Sequence, residues 1–199
     1  MNLFVKVCGV KSLESAYACA EAGADAIGFV FAESPRRISP ARAWSISESL
    51  PRALLRVAVF RRPSARELER VLDDFQPDLI QADHHALGAV AEARRLPVYR
   101  EGADQAPSGG RFLYEGPTSG VGEQVDWGRA AEMARLGEMI LAGGLRPDNV
   151  GRAIASVRPF GVDVSSGVET EPGVKAPALI RSFVAAARAA EERLVSNDR

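Results

Sequence analysis

Short apolar, β-prone runs alternate with amphipathic stretches from one end of the chain to the other. Leu3–Cys8 reads as a first strand, and Leu13–Ala22 as a helix with Ser12 at its N-cap and Gly23 closing it. Asp25–Phe31 is the second strand, followed by a helix that Ser39-Pro40 opens and that runs to about Leu50. Leu55–Phe60, Asp78–Gln81 and Pro97–Arg100 are the next strands, separated by a helix from Pro63-Ser64 to Phe75 and another over Ala86–Arg95. Glu101–Gly110, with Gly102, Pro107, Gly109 and Gly110, predicts a loop where a fifth helix is due. Arg111–Glu115, Glu138–Ala142 and Phe160–Ser165 complete the strands. Trp127–Arg135, Pro147–Val157 and Pro177–Leu194 complete the helices. Strands regularly followed by helices imply a parallel sheet, either open and doubly wound or closed as a barrel. The count of eight favours a (β/α)8 barrel, one domain over residues 1–195, with its fifth helix shortened or missing and a frayed tail at 196–199.

Composition narrows the class. The chain has 199 residues, 46% of them hydrophobic and 26% charged, as in an ordinary soluble domain. With 25 basic and 26 acidic residues the formal net charge is −1, which argues against a nucleic-acid partner. No apolar run reaches the roughly 18 residues of a membrane helix, and the first residues do not read as a secretory signal. Cys8 and Cys19, the two cysteines, cannot build a disulfide framework or a four-cysteine zinc site, so a reduced, cytoplasmic setting is expected. Lysine occurs three times, at Lys6, Lys11 and Lys175.

In a barrel of this kind chemistry gathers where the strands end, because the helices that follow aim their N-termini and unpaired amides at that face. Lys6 and Cys8 share parity on the first strand, roughly 6.6 Å apart. Cys8 is then either a thiol tuned as a base near a buried ammonium or a small buried hydrophobe. A buried ammonium needs an anion, and closure of the barrel brings the eighth strand beside the first, which makes Asp163 the expected partner of Lys6. Gly143-Gly144 after the seventh strand and Ser165-Ser166 after the eighth stand where this fold commonly binds phosphate. Asp126 is open to two roles, N-cap of the next helix or general acid facing Cys8. Arg36 and Arg37 are either a carboxylate clamp or solvated charges. His84 and His85 are adjacent on a loop with no third ligand evident, so no metal site is expected.

Taken together, Lys6-Val7-Cys8-Gly9-Val10, Gly23–Phe31, Ser34–Pro40, Val57–Phe60, Val125-Asp126-Trp127, Leu141–Leu145, Asp163–Glu169 and Pro172–Lys175 closely resemble the phosphoribosylanthranilate isomerases of tryptophan biosynthesis, in family order. The resemblance implies a (β/α)8 barrel that converts N-(5′-phosphoribosyl)anthranilate into 1-(2-carboxyphenylamino)-1-deoxyribulose 5-phosphate, an Amadori rearrangement. It implies Cys8 as general base and Asp126 as general acid. Arg36 would sit on the anthranilate carboxylate, and Gly143, Gly144, Ser165 and Ser166 on the phosphate, with Asp163 in the same pocket. No cofactor and no metal are implied. The partner is a small phosphosugar, and the protein is a monomer or homodimer.

The middle of the chain departs from the family pattern. Gln81-Ala82-Asp83-His84 stands where Gln-Leu-His-Gly is usual, Glu123 replaces a lysine, and Glu115 takes the place of an aspartate ending the sixth strand. Three rival readings follow. A histidine-pathway or bifunctional isomerase would carry aspartate where Cys8 stands and a second phosphate loop. A non-catalytic phosphosugar-binding descendant would bind without turnover. A Schiff-base aldolase would use Lys6 or Lys175.

Overall fold

The computed structural model describes residues 3–102, 107–118 and 122–197. Its sheet is a closed barrel of eight parallel strands in sequence order. They are β1 (Phe4–Cys8), β2 (Ala26–Val30), β3 (Leu55–Val59), β4 (Leu79–Asp83), β5 (Arg95–Arg100), β6 (Arg111–Glu115), β7 (Glu138–Leu141) and β8 (Gly161–Val164). Pairing of β1 with β8 closes the ring and sets Lys6 directly opposite Asp163. Six helices are present among the described residues: α1 (Leu13–Ala22), α2 (Pro40–Ser47), α3 (Ala65–Phe75), α4 (Trp127–Ala134), α5 (Val150–Val157) and α6 (Pro177–Asn197). A short antiparallel pair, β9 (Glu169–Glu171) and β10 (Val174–Lys175), follows β8.

Strand parity divides the apolar residues into two cores. Phe4, Cys8, Val30, Val57, Val59, Leu96, Val98, Leu113 and Ile140 fill the barrel interior. Val5, Val7, Ile27, Phe29, Ala58, Ile80, Phe112 and Val162 face outward and pack with helix residues such as Ile46, Val71, Ile154 and Phe183. Two buried faces explain why β1 and β2 are nearly continuous apolar runs. Local signals set the helix ends. Ser12 caps α1 and Gly23 ends it with φ +82°. Ser64 and Glu67 form a capping box on α3.

The ring is thinner than expected on one side. The helix expected over Ala86–Arg95 is absent. Two single 3₁₀ turns, His84–Ala86 and Glu92–Arg94, carry the chain directly into β5. Gly88 interrupts any α-helix there, and Arg95 is already committed to pairing with Ile80. Leu87 and Val90 still reach the core, three residues apart, from these turns. Glu101, Gly102 and residues 107–110 contain no helix, in line with the expected loop, whose positions 103–106 lie outside the described residues. Gly120 and Val121 also lie outside them. The tail expected to fray from Ser196 continues α6 to Asn197, and residues 198–199 lie outside the described part.

Candidate active site

Alternation along each strand decides which side chains reach the mouth of the barrel. Counting by twos from the interior core brings Cys8 on β1, Gln81 and Asp83 on β4, Arg100 on β5, Glu115 on β6 and Asp163 on β8 inward at the C-terminal end. A cavity of about 600 Å³ opens there, lined among others by Cys8, Gln81, Arg100, Glu115, Asp163 and Ser165. A narrow cleft of about 50 Å³ adjoins it, between Gly143-Gly144 on one side and Ser165-Ser166 on the other. Glu115, Asp163, Ser165 and Ser166 line both spaces, so a ligand can extend from one into the other.

Cys8 is buried at the floor of the mouth. A Cβ on Gly28 of the neighbouring strand would stand 3.1 Å from its sulfur, so the absence of a side chain there makes room for the thiol. Burial pushes the Cys8 thiol up, and Lys6, one layer below, pulls it back. The expected partnership of Lys6 and Asp163 is present, with Nζ 2.8 Å from Oδ1. Burial alone would favour the neutral amine, but the carboxylate of Asp163, followed by Cys8, outweighs it and holds Lys6 charged. Burial likewise pushes Asp163 toward its neutral form while Lys6 opposes it. With a charged ammonium at 2.8 Å, the ionised carboxylate is the form that leaves no uncompensated buried cation.

Across the mouth, Arg36 is clamped rather than solvated. Its Nε and Nη2 donate to the two oxygens of Glu169, each at 2.8 Å. Lys175 Nζ lies 2.6 Å from Glu169 Oε1 and donates to the Ser165 carbonyl at 2.8 Å. Ser165 Oγ in turn donates to the Cys8 carbonyl at 3.1 Å. Despite its burial, Glu169 is pulled down to about 2 by hydrogen bonds from Arg36 and Lys175. Arg37, the other member of the expected pair, lies outside this network and lines a separate groove between Pro40 and Val71.

The small residues of the cleft are required by space. Gly143 and Gly144 adopt φ +91° and +62°. A Cβ on Gly144 would stand 2.8 Å from the Gln124 backbone, and one on Gly167 only 1.9 Å from the Leu145 carbonyl. Asn149 Nδ2 donates to the Gly144 carbonyl at 2.9 Å and its Oδ1 accepts from Arg146 N at 2.8 Å, pinning the turn before α5. This leaves a glycine-lined concavity facing two serines.

Asp126 lies on the connection between β6 and α4. It is exposed, and its carboxylate accepts from Gly128 N at 2.7 Å and Arg129 N at 3.1 Å as the N-cap of α4. The reason is its place in the chain. It stands at the start of a helix in the outer ring, and its oxygen turns back onto that helix's own amides. The carboxylate that β6 delivers to the mouth is Glu115. Sequence reading passed over Gln81, Asp83, Arg100, Glu115 and Glu169 as site residues, although inward parity at the strand ends was the signal for the first four. His84 stacks on Tyr99 with ring centroids 4.6 Å apart, and His85 is exposed.

Residues 5–186 match the family model described as N-(5′phosphoribosyl)anthranilate (PRA) isomerase. A curated relative from Syntrophomonas wolfei, N-(5′-phosphoribosyl)anthranilate isomerase, is 41% identical over 90% of this chain and 95% of its own. The crystal structure of phosphoribosyl anthranilate isomerase from Thermus thermophilus superposes with a TM-score of 0.84 at 30% identity, covering 94% of this chain and 99% of that one. A further isomerase structure, in complex with reduced 1-(o-carboxyphenylamino)-1-deoxyribulose 5-phosphate, superposes with a TM-score of 0.77 at 33% identity over 94% of this chain and all of that one.

Proposed function

The chain belongs to the N-(5′-phosphoribosyl)anthranilate isomerase family, and on that premise we propose that it catalyses the Amadori rearrangement of N-(5′-phosphoribosyl)anthranilate in tryptophan biosynthesis, with Cys8 and Asp126 as its base and acid. The observation that carries this reading is that the Cys8 thiol of β1 lines a cavity at the C-terminal mouth of the closed barrel, beside a cleft walled by Gly143-Gly144 and Ser165-Ser166.

The reaction needs a proton delivered to the furanose ring oxygen and another removed from C2. Asp126, on the connection from β6 to α4, is the acid that protonates the ring oxygen. The ring opens to a Schiff base. Cys8, as thiolate, then takes the C2 proton, and the resulting enolamine tautomerises to the ketone. A thiol held high by burial is a stronger base once ionised, which suits removal of a carbon-bound proton, and Lys6 beneath it offsets the charge of the thiolate. The phosphate enters the cleft between Gly143-Gly144 and Ser165-Ser166, where small residues give it access to backbone. The anthranilate carboxylate lies toward Arg36, which Glu169 holds at the rim of the cavity. Binding energy from these two remote anions fixes the sugar between acid and base.

Turnover of enzymatically generated substrate tests the reading. The wild-type protein is expected to convert it, and Cys8→Ala and Asp126→Ala each to lose on the order of 10²–10⁴ in kcat with the fold intact. A wild-type protein that binds a reduced product analogue without converting substrate would instead make it a phosphosugar-binding descendant.

A further inference from the structure

Three buried side-chain polar atoms among the described residues make no hydrogen bond: Gln81 Oε1, Asp83 Oδ1 and Trp127 Nε1. Asp83 is answered by charge, with Arg100 Nη1 2.6 Å from that oxygen and Arg62 Nε 3.3 Å from the other. Trp127 opens α4 in the outer ring and lines neither space at the mouth. Neither account covers Gln81. It is 6% exposed, points inward from β4 and lines the cavity together with Cys8. Its backbone is fixed by pairing with Val59 of β3 and Leu96 of β5, and its carbonyl accepts from Phe60 N at 2.8 Å. A strand held on both sides thus brings to the cavity an amide whose oxygen no described residue satisfies.

We infer that Gln81 is a substrate-contacting residue whose amide pairs with the oxygen on C2, the hydroxyl that the rearrangement turns into a ketone. The inference rests on the isomerase reading above. Burying an amide without a partner is costly, and a ligand that supplies the partner removes the cost. The charged groups of the mouth are already engaged: Lys6 with Asp163, Arg36 with Glu169, and Arg100 with Asp83 and Glu115. The two anions of the substrate go to Arg36 and to the glycine-lined cleft, which leaves an uncharged group for the uncharged amide. Position narrows the choice. Gln81 and Cys8 line the main cavity and not the cleft, so both stand at the reacting end, away from the phosphate. Cys8 takes the proton from C2, and Gln81, three strands round the ring, meets the oxygen on the same carbon. An amide suits that oxygen before and after reaction. Its carbonyl accepts from the C2 hydroxyl of the substrate, and after a half-turn of the terminal torsion its NH2 donates to the ketone of the product.

The test is a cycle of two ligands and two proteins. The reduced product analogue carries a hydroxyl on C2, and its deoxy counterpart lacks that oxygen. Gln81→Met removes the amide at nearly constant volume. The wild type is expected to bind the hydroxylated analogue about tenfold more tightly than the deoxy one, and Gln81→Met to bind the two equally, with kcat/KM for the substrate down by about the same factor. The urea midpoint of Gln81→Met should be no lower than that of the wild type, since no partner inside the protein is lost. Equal loss of affinity for both analogues in Gln81→Met, a variant that keeps the wild-type preference, or a lower urea midpoint with kcat/KM unchanged overturns the inference. Should Gln81→Met not fold, Gln81→Asn, which draws the amide back by one methylene, is read in the same cycle: a lost preference supports the inference and a kept one overturns it. A wild type that shows the preference without turning over substrate is a failure of the isomerase reading instead, and the contact to the C2 oxygen stands.

Discussion

Lys6 and Asp163 face each other across the β1–β8 seam, Nζ to Oδ1 at 2.8 Å, with the ammonium wholly enclosed. Closing the barrel therefore gives the enclosed ammonium its anion. Lys6→Met leaves Asp163 as an unpaired buried carboxylate, and the expected cost is about 3–5 kcal/mol. Lys6→Met with Asp163→Leu should recover part of it, because no charge then remains uncompensated. The pH dependence has a definite sign. Lys6 is held above its usual 10.5 in the folded state, its burial outweighed by Asp163. Its contribution is fully present below pH 10.5 and fades as pH rises through the still higher folded value. Urea unfolding of wild type and Lys6→Met between pH 8 and 11 checks this: the gap between them should narrow only at the alkaline end.

Cys8 is enclosed, with burial raising its proton affinity and Lys6 opposing that rise. Alkylation by iodoacetamide, which consumes the thiolate, should be slow at neutral pH and climb only above the ordinary thiol value of 9.0. Removing the ammonium in Lys6→Met should push the climb to higher pH still. A reduced product analogue in the cavity should slow the reaction at every pH. Mass spectrometry of the modified peptide separates Cys8 from Cys19, which burial holds at about 12.

The parts legible in the sequence are those where local and global demands coincide. The eight strands announced themselves because a parallel strand buried on both faces is an apolar run, and α1 and α3 because Ser12 and Ser64 cap them. The helix expected over Ala86–Arg95 failed because its apolar spacing, Leu87 and Val90, serves a 3₁₀ turn equally well, while pairing with β4 claimed Arg95. The β9–β10 hairpin was readable only from Pro172-Gly173 at its turn, where Gly173 takes φ +85°. In the site, Cys8 and the small residues of the cleft were legible from strand ends. Glu115 was noted at the end of the sixth strand, but its pairing with Arg100 follows only from the register of β5 with β6. Glu169 was quoted for the family pattern, but its bond to Arg36 spans 133 positions and no local pattern encodes it.

Glu169 joins Arg36 to Lys175, and its folded value is drawn down to about 2 from 4.5. A depressed carboxylate stabilises above its unfolded value and loses that contribution as pH falls toward the folded one. The window is therefore pH 4.5 down to about 2. Across it the wild type should lose urea resistance more steeply than Glu169→Gln. At pH 7 Glu169→Gln should be less stable by about 3 kcal/mol, since Lys175 is then buried without its anion. Arg36 would also lose its bidentate anchor, so KM should rise more than kcat falls.

Asp126 and Glu115 lie on the same stretch of chain and are both acidic, yet the barrel gives them opposite surroundings. Asp126 spends its carboxylate on two amides at the start of α4 and is exposed, while Glu115 turns inward beside Arg100. Asp126→Ala should therefore lose the N-cap, lowering stability by about 1 kcal/mol, and the acid as well, lowering kcat by a factor on the order of 10²–10⁴. Asp126→Asn, which keeps a capping oxygen, should restore most of that stability but not the rate. Urea titrations and a pH series of kcat on these two variants separate a cap from an acid. A wild-type kcat in Asp126→Asn, with its stability preserved, would leave Asp126 a cap alone and take the proton-donating role from it.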